Sequence, residues 1–281
     1  VGILYVVATP IGNLQDVTLR AIDVLSKVSL IAAEDTRQTR KLLQSHGIRG
    51  KLISFNEHNQ SRRLPSLLKA LDEADIAIVA DAGTPGISDP GRALVERAHL
   101  AGHRVVPVPG ASAVTAALSV SGLDANSYVF LGFLPRRKGE RRALLQKVSL
   151  LGFTLVLFEA PHRLRETMRD LLEILGNRRC LLAREITKLH EEVRLVDLAS
   201  LSQEYETRPP LGEFTLVIEG GREPKDLGKD LRSIEERLRG LMDRGMSPRD
   251  AVRLVARETG IRRQEVLRMW IRMQEGAPGR P

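Results

Sequence analysis

Three short stretches hold the residue types best suited to gripping a small ligand: Thr9-Pro-Ile-Gly-Asn13, Asp81-Ala-Gly-Thr-Pro-Gly-Ile-Ser-Asp-Pro-Gly91 and Pro107-Val-Pro-Gly-Ala-Ser112. Glycine lets a backbone approach a ligand closely and proline stiffens it, so such loops present amide and carbonyl groups at fixed positions. The longest, residues 81–91, reads as the floor of a cofactor site. Taken alone it could equally be a tight strand-to-helix turn. A fold that needs only turns has no use for three rigid loops, whereas a crevice that clamps one ligand does.

The elements that must position these loops follow from hydrophobic periodicity. Short apolar runs bounded by turn residues predict strands at 3–8, 30–33, 52–55, 76–80 and 105–108, separated by amphipathic helices. Asp16 is placed to cap the first helix and Thr36 the second, with Gly47 closing the second. Strand–helix alternation of this kind predicts a parallel sheet covered on both faces, with ligands at the carboxyl ends of its strands, where all three loops lie. Turn formers at 119–126 suggest a hinge. A second alternation follows, with strands at 128–133, 154–158, 180–185 and 214–219 and helices near 141–148 and 165–175. A short strand at 193–196 without a clear crossover helix favours a mixed sheet. Residues 229–276 hold three helical patterns, one opening on Ser247-Pro-Arg-Asp250 with a cap and then proline. Residues 251–266 resemble a helix-turn-helix with Gly260 in the turn. The expected α/β protein thus has an N-terminal domain at 1–120, a second domain at 127–221 closing the cleft, and a basic helical tail at 229–276.

Composition narrows the chemistry. The 281 residues carry a net charge of +8, which suggests an anionic partner, nucleic acid first and an acidic membrane surface second. The tail holds twelve Lys/Arg against eight Asp/Glu, half of the excess. The single cysteine, Cys180, allows no disulfide framework. No run of 18 apolar residues occurs and the first residues already read as strand, so the expectation is a cytoplasmic protein with no membrane span. No Gly-x-Gly-x-x-Gly follows the first strand, and no Walker loop or Gly-x-Ser-x-Gly elbow is present. His190-Glu-Glu lacks a second histidine at ligand spacing, so no metal is expected. What remains is a small-molecule crevice without phosphate or metal signatures.

Seven motifs together resemble the tetrapyrrole methylase superfamily, and within it the branch that methylates the ribose 2′-oxygen of a cytidine in 16S rRNA. They are Thr9-Pro-Ile-Gly-Asn13, Glu34-Asp-Thr-Arg37, the 81–91 run, Pro109-Gly-Ala-Ser-Ala113, Gly132-Phe-Leu-Pro-Arg136, Phe158-Glu-Ala-Pro-His-Arg163 and Arg184-Glu-Ile-Thr-Lys-Leu-His-Glu191. The resemblance spans about 220 residues in order and excludes the tail. It implies a two-domain homodimer that binds S-adenosylmethionine between its domains and acts on 16S rRNA, within the 30S subunit. A methylase of a small molecule such as a tetrapyrrole precursor is the alternative. A regulator that uses the tail to bind nucleic acid is a third.

On this resemblance the cofactor would contact Thr9, Pro10 and Gly12, then Asp81, Ala82, Gly83 and Thr84, then Pro109, Gly110, Ala111 and Ser112. The second domain would add Phe158, Glu159 and Ala160, with Gly212, Glu213 and Phe214. A general base is needed for the hydroxyl proton; Lys188 and Glu185 are the first candidates, with Asp35 and His162 behind. Lys188 serves as a base only if burial or positive neighbours lower its pKa. RNA phosphates would meet Arg136, Arg137, Lys138, Arg141 and Arg142, with Arg37 and Arg163, although a basic run is often only a solvated helix face.

Overall fold

The computed structural model describes residues 1–87, 91–221, 231–243, 245–259, 261 and 263–275. Gly260 and part of the 81–91 run, residues 88–90, therefore lie outside the described residues.

The first sheet is fully parallel, in the order β3-β2-β4-β1-β5. Its strands are β1 (Ile3–Val7), β2 (Leu30–Ala33), β3 (Leu52–Ser54), β4 (Ile76–Val79) and β5 (Arg104–Val108). All four residues of β4 are buried, as expected of a central strand covered on both faces. Helices α1 (Leu19–Lys27), α2 (Thr36–Ser45), α3 (Gln60–Glu73) and α4 (Arg92–Leu100) connect the strands. On α1, Ala21, Val24 and Leu25 are buried, three and four residues apart, on one face.

The caps differ from expectation by a residue or two. Thr18 caps α1, accepting from Ala21 N, because Asp16 is already used in a 3-10 turn that Asn13 caps. Asp35, not Thr36, caps α2, since its carboxylate accepts from Arg37 N at 2.8 Å. Gly47 does adopt the left-handed conformation after α2.

Helix α5 (Ala113–Ser121) follows the last strand of the first sheet yet packs on the second. Its Val114, Ala117 and Leu118 join Val156, Leu181, Ala183 and Val217 in one core. The predicted hinge overlaps its last turn, which ends at left-handed Gly122.

The second sheet runs β6-β7-β10-β8-β9 and is mixed: only β6 and β7 pair in parallel. Its strands are β6 (Tyr128–Phe133), β7 (Thr154–Glu159), β8 (Arg179–Arg184), β9 (Glu192–Asp197) and β10 (Phe214–Ile218). Helices α6 (Lys138–Val148), α7 (Leu164–Leu175) and α8 (Leu198–Thr207) lie between its strands in the chain. The connecting helix α8 escaped the sequence reading. Its apolar face is sparse, only Leu198, Leu201 and Tyr205 being buried, and Asp197 caps it with no intervening loop.

The chain divides into two compact units. Val1–Arg141 with Thr154–Glu219 carries both sheets, and Arg142–Phe153 with Gly220–Pro281 forms the other. In the latter, α9 (Leu231–Asp243), α10 (Pro248–Thr259) and α11 (Arg263–Glu275) share a core of Ile234, Leu238, Val252, Val255 and Val266. Ser247 accepts from Asp250 N ahead of Pro248, the predicted cap followed by proline. Among the described residues no helix is long and apolar enough to cross a membrane.

Candidate active site

The site begins where β4, β1 and β5 end side by side. Thr9 and Gly83 exchange both backbone hydrogen bonds, 2.9 and 3.1 Å, and the buried Thr9 hydroxyl donates to Ala80 O at 3.1 Å. Gly83 adopts φ +79, so the loop can turn there without strain. Gly110 lies so close to β1 that a Cβ would sit 3.1 Å from that of Ala8. The first two glycine loops are thus stitched together and the third packs against β1. Ser112 heads α5 without making a side-chain cap, which leaves first-turn N–H groups of that helix open to an acceptor.

Beside them, β2 contributes carboxylates. Asp35 N donates to Asp81 Oδ1 at 2.9 Å and Asp81 N donates to Glu34 Oε2 at 3.2 Å. Burial pushes the carboxyl pKa of both Glu34 and Asp81 above its ordinary value, and neighbouring negative charges add to the shift. Neither has a Lys or Arg within ion-pair distance among the described residues. Asp35 differs: bonds from Arg37 hold its pKa down at about 2, which removes it as a base near neutral pH.

The second sheet supplies the opposite wall. Phe158, Glu159 and Ala160 from the end of β7 and Glu213, Phe214 and Thr215 from the start of β10 join Asp81, Ala82, Gly83, Thr84 and Ser112. Together they surround a cavity of about 570 Å³. Phe133 and Phe158 meet with ring centroids 5.6 Å apart. Of the predicted cofactor residues, Thr9, Pro10, Gly12, Pro109, Gly110, Ala111 and Gly212 do not line this cavity. Gly12 and Gly212 allow close approach: a Cβ on Gly12 would meet Lys188 Cγ at 2.5 Å, and one on Gly212 would meet Glu185 Cγ at the same distance. His162 also lines the cavity.

Lys188 lines the cavity but does not meet the condition set for a base. Burial pulls its pKa down, yet bonds to Glu213 Oε2 (2.9 Å) and Glu185 Oε1 (3.0 Å) outweigh burial and raise it. It is a held cation. Glu185, whose burial is overcome by bonds from Lys188 and Glu213 N, is a stabilised anion and a poor proton acceptor. Glu185 and Thr187 take positive φ, 51 and 64, and the Thr187 hydroxyl accepts from Asn13 N, so this turn is fixed against the first glycine loop.

The predicted RNA-contacting arginines divide. Arg136, Arg137 and Lys138 are exposed and Arg142 is half-buried. Arg37 is exposed at the rim of a second, polar cavity. Arg141 is a correction: its side chain is 2% exposed and pairs with Asp170 at 2.7 Å and Glu166 at 3.3 Å. An exposed cation on a helix face and a buried one look alike in sequence; here Asp170 of α7 pulls Arg141 inward. Arg163 is likewise turned in, donating to the Leu134 and Pro135 carbonyls and pairing with buried Glu159.

Sequence reasoning missed Glu34, Ile11, Phe133 and Ile186 as lining residues. For Glu34 a signal existed, since it ends β2 within the Glu34-Asp-Thr-Arg37 motif, and β2 pairs with β4 through Ala33 and Val79.

Comparison with known proteins gives the chain a family and a fold. A family described as Tetrapyrrole (Corrin/Porphyrin) Methylases matches residues 3–202. A Synechocystis sp. protein named Ribosomal RNA small subunit methyltransferase I is 44% identical, covering 97% of this chain and 99% of its own. A Thermotoga maritima protein of the same name is 47% identical over 78% of this chain and 99% of its own. The solved uroporphyrin-III C-methyl transferase from Thermus thermophilus, complexed with S-adenyl homocysteine, is 19% identical. It aligns with a TM-score of 0.56 over 77% of this chain and 97% of that one.

Proposed function

Because the chain belongs to the tetrapyrrole (corrin/porphyrin) methylase family, we propose that it is an S-adenosylmethionine-dependent methyltransferase acting on small-subunit ribosomal RNA. The acceptor in this reading is the ribose 2′-oxygen of a cytidine in 16S rRNA, met in the 30S subunit by a cytoplasmic homodimer. The observation that carries it is the name shared by relatives 44% and 47% identical to this chain.

The cavity's chemistry suits the donor. Glu34 and Asp81, carboxylates that form no ion pair among the described residues although Arg37 attracts Asp81 at longer range, favour a ligand with positive charge, and the phenyl rings of Phe133 and Phe158 offer an apolar wall. The α5 N-terminus favours a carboxylate. When bound, the donor supplies an electrophilic methyl group on a cationic sulfur. Asp81 to Thr84 and Ser112 would hold it from below, with Phe158 to Ala160 and Glu213 to Phe214 above. Holding acceptor and donor in line can supply on the order of 7–11 kcal/mol of the barrier.

In this reading the exposed Arg136, Arg137 and Lys138 would meet RNA phosphate, while Lys188, kept cationic by Glu185 and Glu213, would help to position the RNA at the mouth of the donor cavity. Lys188→Ala should raise KM for subunits several-fold and change kcat little, as steady-state kinetics would show. The whole reading is tested by offering labelled donor with purified 30S subunits and, separately, with a uroporphyrinogen-type substrate. Label in a cytidine ribose supports it; label only in the macrocycle selects the tetrapyrrole alternative and overturns it.

A further inference from the structure

A second cavity, about 460 Å³, opens on the same carboxyl edge of the first sheet, one strand further along. Glu34 to Arg37 line it from the end of β2, and Ser54 with Asn56 to His58 line it from the end of β3. Glu34 also lines the 570 Å³ cavity, so its carboxyl group stands on the wall common to both. That position is fixed, because Asp81 N donates to Glu34 Oε2 and β2 is paired to β4.

The contents of the second cavity select a ligand class. Glu34, Asp35 and Glu57 repel a phosphate and accept hydrogen bonds from hydroxyl and amino groups. Ser54 and Asn56 add neutral polar contacts, and the Ser54 hydroxyl anchors the side-chain amides of Asn56 and Asn59. Arg37, 83% exposed at the rim and paired through Nη2 with Asp35 at 2.7 Å, is a cation that a phosphate outside can share. Donors inside and phosphate outside describe a nucleoside within a nucleic-acid chain.

We infer that this second cavity receives the acceptor nucleoside of the proposed reaction and that Glu34 is the group that takes its hydroxyl proton. The inference rests on the methyltransferase reading. The 2′-O–H bond breaks as Glu34 accepts the proton. The freed oxygen pair bonds the methyl carbon, and the carbon–sulfur pair stays with sulfur as a neutral thioether. Glu34 then loses its proton to solvent. Burial and the charges of Asp81, Glu57 and Asp35 raise the proton affinity of Glu34, which suits this role; Arg37 is drawn to Asp35, and His58 also lines the cavity. Lys188 and Glu185, locked together, are left as positioning groups.

The test pairs Glu34→Gln, which keeps an oxygen for Asp81 N–H, with Thr36→Phe, which crowds the second cavity. With 30S subunits, Glu34→Gln should lower kcat on the order of 10² to 10⁴ and abolish the fall in rate at acid pH. Thr36→Phe should chiefly raise KM. A readout without turnover is the ¹³C carboxyl resonance of Glu34, assigned by its absence in Glu34→Gln. Cytidine should shift that resonance in the wild type and not in Thr36→Phe. Undiminished kcat in Glu34→Gln, or a resonance indifferent to cytidine, overturns the inference while the methyltransferase reading stands. A wild-type protein that methylates no 30S subunit overturns both.

Discussion

Two pairs of carboxylates, Glu192 with Glu204 at the second sheet and Glu34 with Asp81 at the first, are treated oppositely. Around β8, β9 and α8, Glu192 meets Arg208 at 2.8 Å and Arg194 at 2.7 Å, while Glu204 bridges the same two arginines. Those bonds lower the pKa of Glu192, and they overcome burial to lower that of Glu204. At the ends of β2 and β4, Glu34 and Asp81 are raised and have no such partners. Charge used to hold the fold is neutralised by the protein itself. Charge kept for a ligand is left uncompensated, at a cost to the free protein.

The strongest challenge to this contrast is Arg141→Ala. Removing that guanidinium deletes the 2.7 Å ion pair to Asp170, whose side chain is 4% exposed. A loss of about 3–5 kcal/mol is expected, the scale for breaking one side of a buried pair, and denaturant unfolding reads it. Arg137→Ala, on an exposed side chain, should change stability by less than about 0.5 kcal/mol.

Next comes Glu192→Gln, with an expected loss of about 1 kcal/mol, kept small because solvent screens the network. Its sign with pH follows from the lowered folded pKa. The stabilisation is present above the ordinary glutamate value of 4.5 and is lost as pH falls through the lower folded value. Melting curves from pH 7 down to 3 should show the variant and wild type converging.

The smallest effect has the opposite sign. Glu34→Gln should stabilise the free protein at neutral pH by a few tenths of a kcal/mol, since water still reaches the group. With a raised folded pKa, the carboxyl costs nothing below 4.5 and its cost grows as pH rises through the folded value, so the gain appears only toward neutral pH. A destabilised Glu34→Gln protein at pH 7 would erase the contrast between the two regions.

The sequence made the strand frame and the three glycine loops legible, because buried parallel strands are short apolar runs and their ligand loops need glycine and proline. Helix α8 was not legible because a helix on a sheet edge buries only one residue per turn. The fate of α5 was hidden for another reason: apolar on most sides, it satisfies either sheet, and only the three-dimensional packing shows that it chose the second. The inward turn of Arg141 and the pairing of Lys188 depend on residues 29 and 25 positions away, beyond the reach of local pattern. The Glu34-Asp-Thr-Arg37 motif singled out the end of β2, but the place of Glu34 on the cavity wall follows from β2 lying beside β4.

The central claim is that the stitched loops of β4, β1 and β5 hold a cationic methyl donor against two unpaired carboxylates. Calorimetric titration of S-adenosylmethionine into the free protein tests it most directly. One saturable site per chain is predicted, weakened at least about tenfold in Asp81→Asn, the loss of roughly one charge-assisted contact. No heat in the wild type, or equal affinity in the variant, would contradict the account.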